Sequence, residues 1–138
     1  ITIAEELRVL NDYIELERIR YNERLTIRFT RSMDNDAQPI APLILLPFVE
    51  NAFKHGASET RFSSFIHIHA QLQRGQLIFT IENSREHDVD EEIKENIGLS
   101  NVRRQLELMY PEHRLDIEPG KNLFKITLTI NLDRHAAI

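Results

Sequence analysis

Ile3, Leu7, Leu10, Ile14, Tyr21 and Leu25 recur mostly at steps of three, four and seven, and Val9, Tyr13 and Leu16 widen the stripe, so the chain opens on an amphipathic helix. Glu5, Glu6, Glu15, Glu17, Arg18 and Arg20 occupy the rest of its surface and read as a solvated face. Leu25 to Phe29 alternates apolar and polar, which predicts a strand over Arg24 to Arg31. A polar turn follows from Ser32 to Gln38, and Pro39 and Pro42 prepare the start of a second helix. Over Ala41 to Gly56 a second stripe appears, formed by Leu45, Phe48, Val49, Ala52, Phe53 and Gly56. Glu50, Asn51, Lys54 and His55 fall on the other side, and the spacing makes Asn51, Lys54 and His55 neighbours on that surface. Pro47 requires either that the helix begins near Leu46 or that its first turn is kinked, and Gly56 is a natural stop.

After a loop from Ala57 to Ser63 the period changes to two. Ile66, Ile68, Ala70 and Leu72 share one face of a strand, and Phe65, His67, His69 and Gln71 share the other. An Arg74-Gly75 turn leads to Leu77, Phe79 and Ile81 alternating with Ile78, Thr80 and Glu82, a β-hairpin with one face packed. Asn83 to Ile97 concentrates charge and reads as an acidic surface loop. Helical spacing returns from Gly98 to Tyr110 through Leu99, Val102, Leu106 and Met109, and Pro111 stops it. Leu115 and Ile117 suggest a short strand, Pro119-Gly120 a turn, and Phe124 to Leu132 a final alternating strand. The expected fold class is an α/β two-layer sandwich, a mostly antiparallel mixed sheet with helices on one face.

Composition narrows the function. The 138 residues suit one domain with an ordinary globular composition of 41% hydrophobic and 28% charged residues. With no cysteine, disulfide and thiolate chemistry are excluded. A formal net charge of −5 disfavours a nucleic-acid surface, so an anionic ligand needs local positive groups. No apolar run approaches the ~20 residues of a membrane helix. The amide of Asn51, the ammonium of Lys54 and the imidazole of His55 suit an anion that carries a metal; a plain amphipathic helix with a solvated face has the same pattern. His67 and His69 share a strand face without a third ligand at sensible spacing, which reads as solvated.

Val49-Glu50-Asn51-Ala52-Phe53-Lys54-His55-Gly56, after a Pro-containing apolar run, resembles the N box of the GHKL (HATPase, Bergerat-like) ATP-binding fold, and in particular that of LytS-type sensor histidine kinases. Glu5 to Tyr21 is similar to the helix that precedes the N box in that family, and Ile97 to Pro111 to its second glycine box. The resemblance implies an N-terminal helix, residues 1–23, leading in from an acceptor region, and a catalytic domain over 24–138. It implies ATP or ADP with Mg²⁺ as ligand, and transfer of the γ-phosphoryl group to a histidine in the dimerisation region of a parent kinase. A response regulator downstream, a homodimeric parent and a cytoplasmic position in an inner-membrane-anchored protein are implied as well.

By the same resemblance Asn51 coordinates Mg²⁺ through the ATP phosphates, Lys54 and His55 face phosphates or ribose, and Gly98, Leu99, Asn101, Arg103 and Arg104 belong to the phosphate side. A helix starting near Gly98 would present free N–H groups to the phosphates. Glu50 is the only carboxylate of the motif and the candidate base. Where hydrolytic relatives carry a catalytic Glu four residues before the Asn, this chain has Pro47, which favours phosphotransfer over hydrolysis. The first glycine box, usually D-x-G-x-G, stands as Ile81-Glu82-Asn83-Ser84-Arg85, with Asn83 in the adenine-reading position and no glycine. Two readings follow: an ATP-binding catalytic domain, or a nucleotide-free pseudo-kinase module acting as a dimerisation or signalling scaffold.

Overall fold

A computed structural model describes residues 1–21, 25–54, 64–84 and 89–134, with side chains for all of these except 89–98. The elements run α1 (Ile3–Tyr21), β1 (Leu25–Met33), α2 (Leu46–Ala52), β2 (Ser64–Gln73), β3 (Gln76–Ser84), α3 (Val89–Met109), β4 (His113–Pro119) and β5 (Leu123–Asn131). The five strands form one sheet in the order β1-β2-β3-β5-β4. Only β1 and β2 are parallel, joined by the crossover that contains α2; the other neighbours are antiparallel.

The alternation along the strands sets the layers. Ile66, Ile68, Ala70 and Leu72 of β2, Leu77, Phe79 and Ile81 of β3, and Phe124, Ile126, Leu128 and Ile130 of β5 are buried on one face. They meet Leu7, Leu10 and Ile14 of α1, Phe48 and Val49 of α2, and Leu99, Val102 and Leu106 of α3 in one core. This is the two-layer sandwich that the periodicity implies. Arg74 (φ 53°) and Gly75 (φ 78°) make the two-residue turn of the β2–β3 hairpin. A side chain at Gly75 would also collide with the Asp133 carboxylate.

Three expectations are corrected. Val9 is 37% and Leu16 68% exposed, so they do not widen the α1 stripe, and Leu25 belongs to β1 and not to the helix. The acidic stretch is mostly helix: β3 runs to Ser84 and α3 begins at Val89, so Gly98 lies inside a helix and presents no helix N-terminus. The physical reason is propensity, since Glu91 to Glu95 is dominated by strong helix formers, with acidic residues favourable in the first turn. Residues 85–88, within the expected acidic loop, lie outside the described residues, as do Arg24, the Ala57–Ser63 loop and the stop at Gly56.

The third correction is Glu6. Read as solvated, it is fully buried. Its Oε1 accepts the N–H of Leu43 (3.0 Å) and its Oε2 those of Ile44 (2.9 Å) and Leu45 (3.2 Å). Leu43 sits in the left-handed region at φ 60°, a conformation that costs a branched residue roughly 1–2 kcal/mol. The carboxylate stabilises that turn by taking three N–H groups that would otherwise be buried without partners. Removing one partner of such a buried charged network leaves the others unsatisfied. Glu6→Ala is therefore expected to destabilise the domain by about 3 kcal/mol in urea unfolding, and Glu6→Gln, which keeps one acceptor oxygen, by less.

Candidate functional site

The short helix α2 starts with Pro47 in its first turn and has no side-chain cap of its own at Leu45. Glu6 does that work from α1, one turn earlier in the chain of α2. The Tyr110 hydroxyl at the end of α3 accepts the Ala41 N–H at 2.8 Å, and so ties the same approach segment to the third helix. Phe48, Val49, Ala52 and Phe53 are buried, as their spacing implies. Tyr13 meets the Phe53 ring edge-on at 5.6 Å and Tyr21 stacks on it at 6.1 Å. The helix is thus held at its start by a carboxylate and at its end by two aromatic rings, all from α1.

Between those anchors lies Asn51. It was expected on the surface beside Lys54, but only 7% of it is exposed; Lys54 and Glu50 are exposed. The Asn51 Oδ1 atom is buried and has no hydrogen-bond partner among the described residues. Buried amide oxygens are nearly always paired, and an orphan needs an explanation such as an ion or a water. An uncharged oxygen held rigidly on a helix fits a hard divalent cation that keeps most of its waters and other oxygen ligands. Among the described residues no group of three or more His, Asp or Glu side chains is arranged to hold a metal by itself. The donor set therefore suits a cation delivered with its own anionic ligand.

The other candidates divide. Asn83, at the end of β3, is 3% exposed on the helix-covered face, with its amide nitrogen donating to the Ser84 carbonyl at 3.1 Å. An amide oxygen can accept a hydrogen bond. Leu99 is a core residue, 1% exposed, which explains its place by packing alone. Asn101, Arg103 and Arg104 are exposed on α3, which packs against α2. His55 lies outside the described residues, and Gly98 is described in its backbone only, inside α3. His67 and His69 sit on the outer sheet face, where His69 Nδ1 and Thr30 Oγ1 are 2.7 Å apart and His67 Nδ1 lies 3.4 Å from Glu82. Tyr13 and Glu6 were missed as parts of the site. Tyr13 carried a signal, since it lies eight residues before Tyr21 on one helix face; Glu6 carried none beyond its charge.

A mixed five-stranded sheet covered on one face by helices is the fold this chain shares with histidine kinase catalytic domains. The catalytic domain of histidine kinase ThkA superposes with a TM-score of 0.62 at 18% identity, covering 95% of this chain and 92% of that one. A structure of ThkA in complex with response regulator protein TrrA superposes with a TM-score of 0.58 at 20% identity, covering 97% of this chain and 42% of that one. In sequence, the chain is 30% identical over 84 residues to sensor histidine kinase BtsS of Escherichia coli (strain K12), covering 61% of this chain and 15% of that protein. It is 26% identical over 122 residues to sensor protein LytS of Staphylococcus haemolyticus, covering 80% of this chain and 21% of that protein. Its homologues are sensor histidine kinases, LytS among them, and it spans less than a quarter of the length of either of these two. No protein-family model matches the chain.

Two outcomes follow. Asn51→Leu removes an oxygen that is buried and unpaired among the described residues, at similar volume, so urea unfolding is expected to show stability unchanged or raised by about 1 kcal/mol. The Tyr13 phenol is pushed up to about 12, first by burial and then by Glu17 and Glu50 beside it. In the unfolded chain it ionises near pH 10. Its contribution is therefore constant below pH 10 and is lost as pH rises toward 12, because the unfolded state releases the proton first. Urea midpoints measured from pH 9 to 12 are expected to fall less steeply in Tyr13→Phe than in the parent.

Proposed function

We propose that this chain is the ATP-binding catalytic domain of a sensor histidine kinase, passing the ATP γ-phosphoryl group to a histidine outside it. The observation that carries this reading is the buried Oδ1 of Asn51, unpartnered among the described residues, at the position that matches the Mg²⁺ ligand of the N box. Asn51 would hold the cation, and Lys54, His55, Asn101 and one of Arg103 or Arg104 would meet the phosphates or ribose. Bound Mg²⁺ neutralises charge on the phosphate oxygens. The transfer forms a bond from an imidazole nitrogen to phosphorus and breaks the bond from phosphorus to the ADP oxygen. The protein's part is positioning and charge stabilisation. Asn83 would accept from the adenine amino group, and Glu50, exposed one residue before Asn51, would orient the attacking imidazole.

Residues 1–23 would lead in from the histidine-containing dimerisation region of a homodimeric parent, and 24–138 would form the catalytic unit. The ThkA complex supports a response regulator as the downstream partner. The parent would be anchored in the inner membrane with this domain on the cytoplasmic side, as the family resemblance implies; among the described residues, no helix is long and apolar enough to cross a membrane.

A nucleotide-free scaffold is the second reading. It is favoured by the missing glycines after β3 and by the engagement of the Asn83 amide with Ser84. Calorimetry separates the two. Mg²⁺-ADP is expected to bind more tightly than ADP in chelator, and Asn51→Ala to weaken only the Mg²⁺-dependent binding by about tenfold. Equal affinity with and without the metal, or no heat of binding at all, counts for the scaffold.

A further inference from the structure

The sheet edge farthest from α3 has its own binding features. Among the described residues β1 pairs only with β2, so its other side is an edge. In a parallel strand the N–H and C=O of one residue point to the same side, and the sides alternate. The Asp34 N–H donates to the Leu72 carbonyl of β2 at 3.2 Å, which turns the even-numbered residues inward. The Ile27 carbonyl instead accepts from the Arg18 guanidinium of α1 at 3.2 Å, which turns the odd-numbered residues outward. The backbone groups of Phe29 and Arg31 therefore face the open edge, and nothing among the described residues pairs with them there.

The side chains of the same two residues line a cavity of about 380 Å³ whose other wall is Ala4, Leu7, Arg8 and Asn11 of α1. Its floor is apolar, through Leu7 and half-buried Phe29. Its rim is cationic: Arg8 and Arg31 form no ion pair among the described residues, and no carboxylate lines the cavity. In a chain of net charge −5 this is a local basic groove beside unpaired backbone.

We propose that the groove between α1 and β1 docks an extended acidic segment of a partner protein, added as a strand to β1. Backbone pairing at Phe29 and Arg31 supplies the strand register. Carboxylates on alternate residues of the segment share its groove-facing side, reach Arg8 and Arg31 and lay their methylene stems over Leu7 and Phe29, while the residues between them point to the opposite face. Charge decides the occupant. A second copy of β1 would bring Arg31 against another basic strand, the arrangement by which edges repel their own kind. A small free anion uses the guanidinium groups but leaves the strand edge unpaired.

The probe is a fluorescein-labelled eight-residue peptide of alternating Glu and Val, titrated into the whole chain and followed by anisotropy and amide NMR. Saturable binding is expected, with shifts at Phe29, Arg31 and Asn11, unaffected by Mg²⁺-ATP. Arg8→Glu with Arg31→Glu, or N-methylation of alternate peptide amides, is expected to weaken it by about tenfold or more. Arg8→Glu alone, at an exposed helix position, gives the same reading if the double variant does not fold. No saturable binding, or binding that survives charge reversal or N-methylation, overturns the proposal. So does full competition by inorganic phosphate, which marks a small-anion site, and so do shifts confined to α2, which place the peptide at the nucleotide site.

Discussion

The contact between the Glu6 carboxylate and the backbone at Leu43, Ile44 and Leu45 is the constraint on which the site depends. A helix as short as α2 has little stability of its own, and its approach turn includes a branched residue at positive φ. Glu6 satisfies three N–H groups there from a neighbouring helix, and Tyr110 a fourth, at Ala41. Both partners are far away in sequence, so the start of α2 forms only when the helical layer assembles. The position of Asn51 follows from that assembly, because the helix is fixed at its start by Glu6 and at its end by the rings around Phe53.

Asn51 shows what such fixing is for. An unpaired buried oxygen costs stability, roughly 1–3 kcal/mol, and a core optimised only for packing would carry leucine there. Its apolar neighbours Phe48, Val49, Ala52 and Phe53 are buried and anchor the helix that carries it. The cost of the unpaired oxygen is what the proposed cation role of Asn51 would explain.

The two ends of the sheet are unlike. β5 is flanked on both sides, and β4 closes one edge with alternating charges such as Arg114 and Asp116, which pair at 2.9 Å. The β1 edge keeps its cations unpaired beside an apolar floor.

The sequence by itself determined the element order, the buried faces of β2, β3 and β5, the apolar stripe of α2 and the family likeness of the motif around Asn51. These are local: a period of two or of three to four, a Pro in a first turn and an Arg-Gly turn are each read within a few residues. It did not determine the start of α3, where high charge obscured good helix propensity between Val89 and Ile97. Nor did it decide burial of single polar groups. Glu6 and Glu5 are adjacent and chemically alike, yet Glu6 is enclosed and Glu5 stays at the surface, bonded to Thr2. Asn51 and Lys54 share a helix face in projection, yet only Asn51 is covered. Which polar group is enclosed depends on where a second and third element pack over it, and those contacts join residues up to 39 positions apart. Only the tertiary structure brings them together, because no short-range pattern encodes the approach of α1 to the turn before α2.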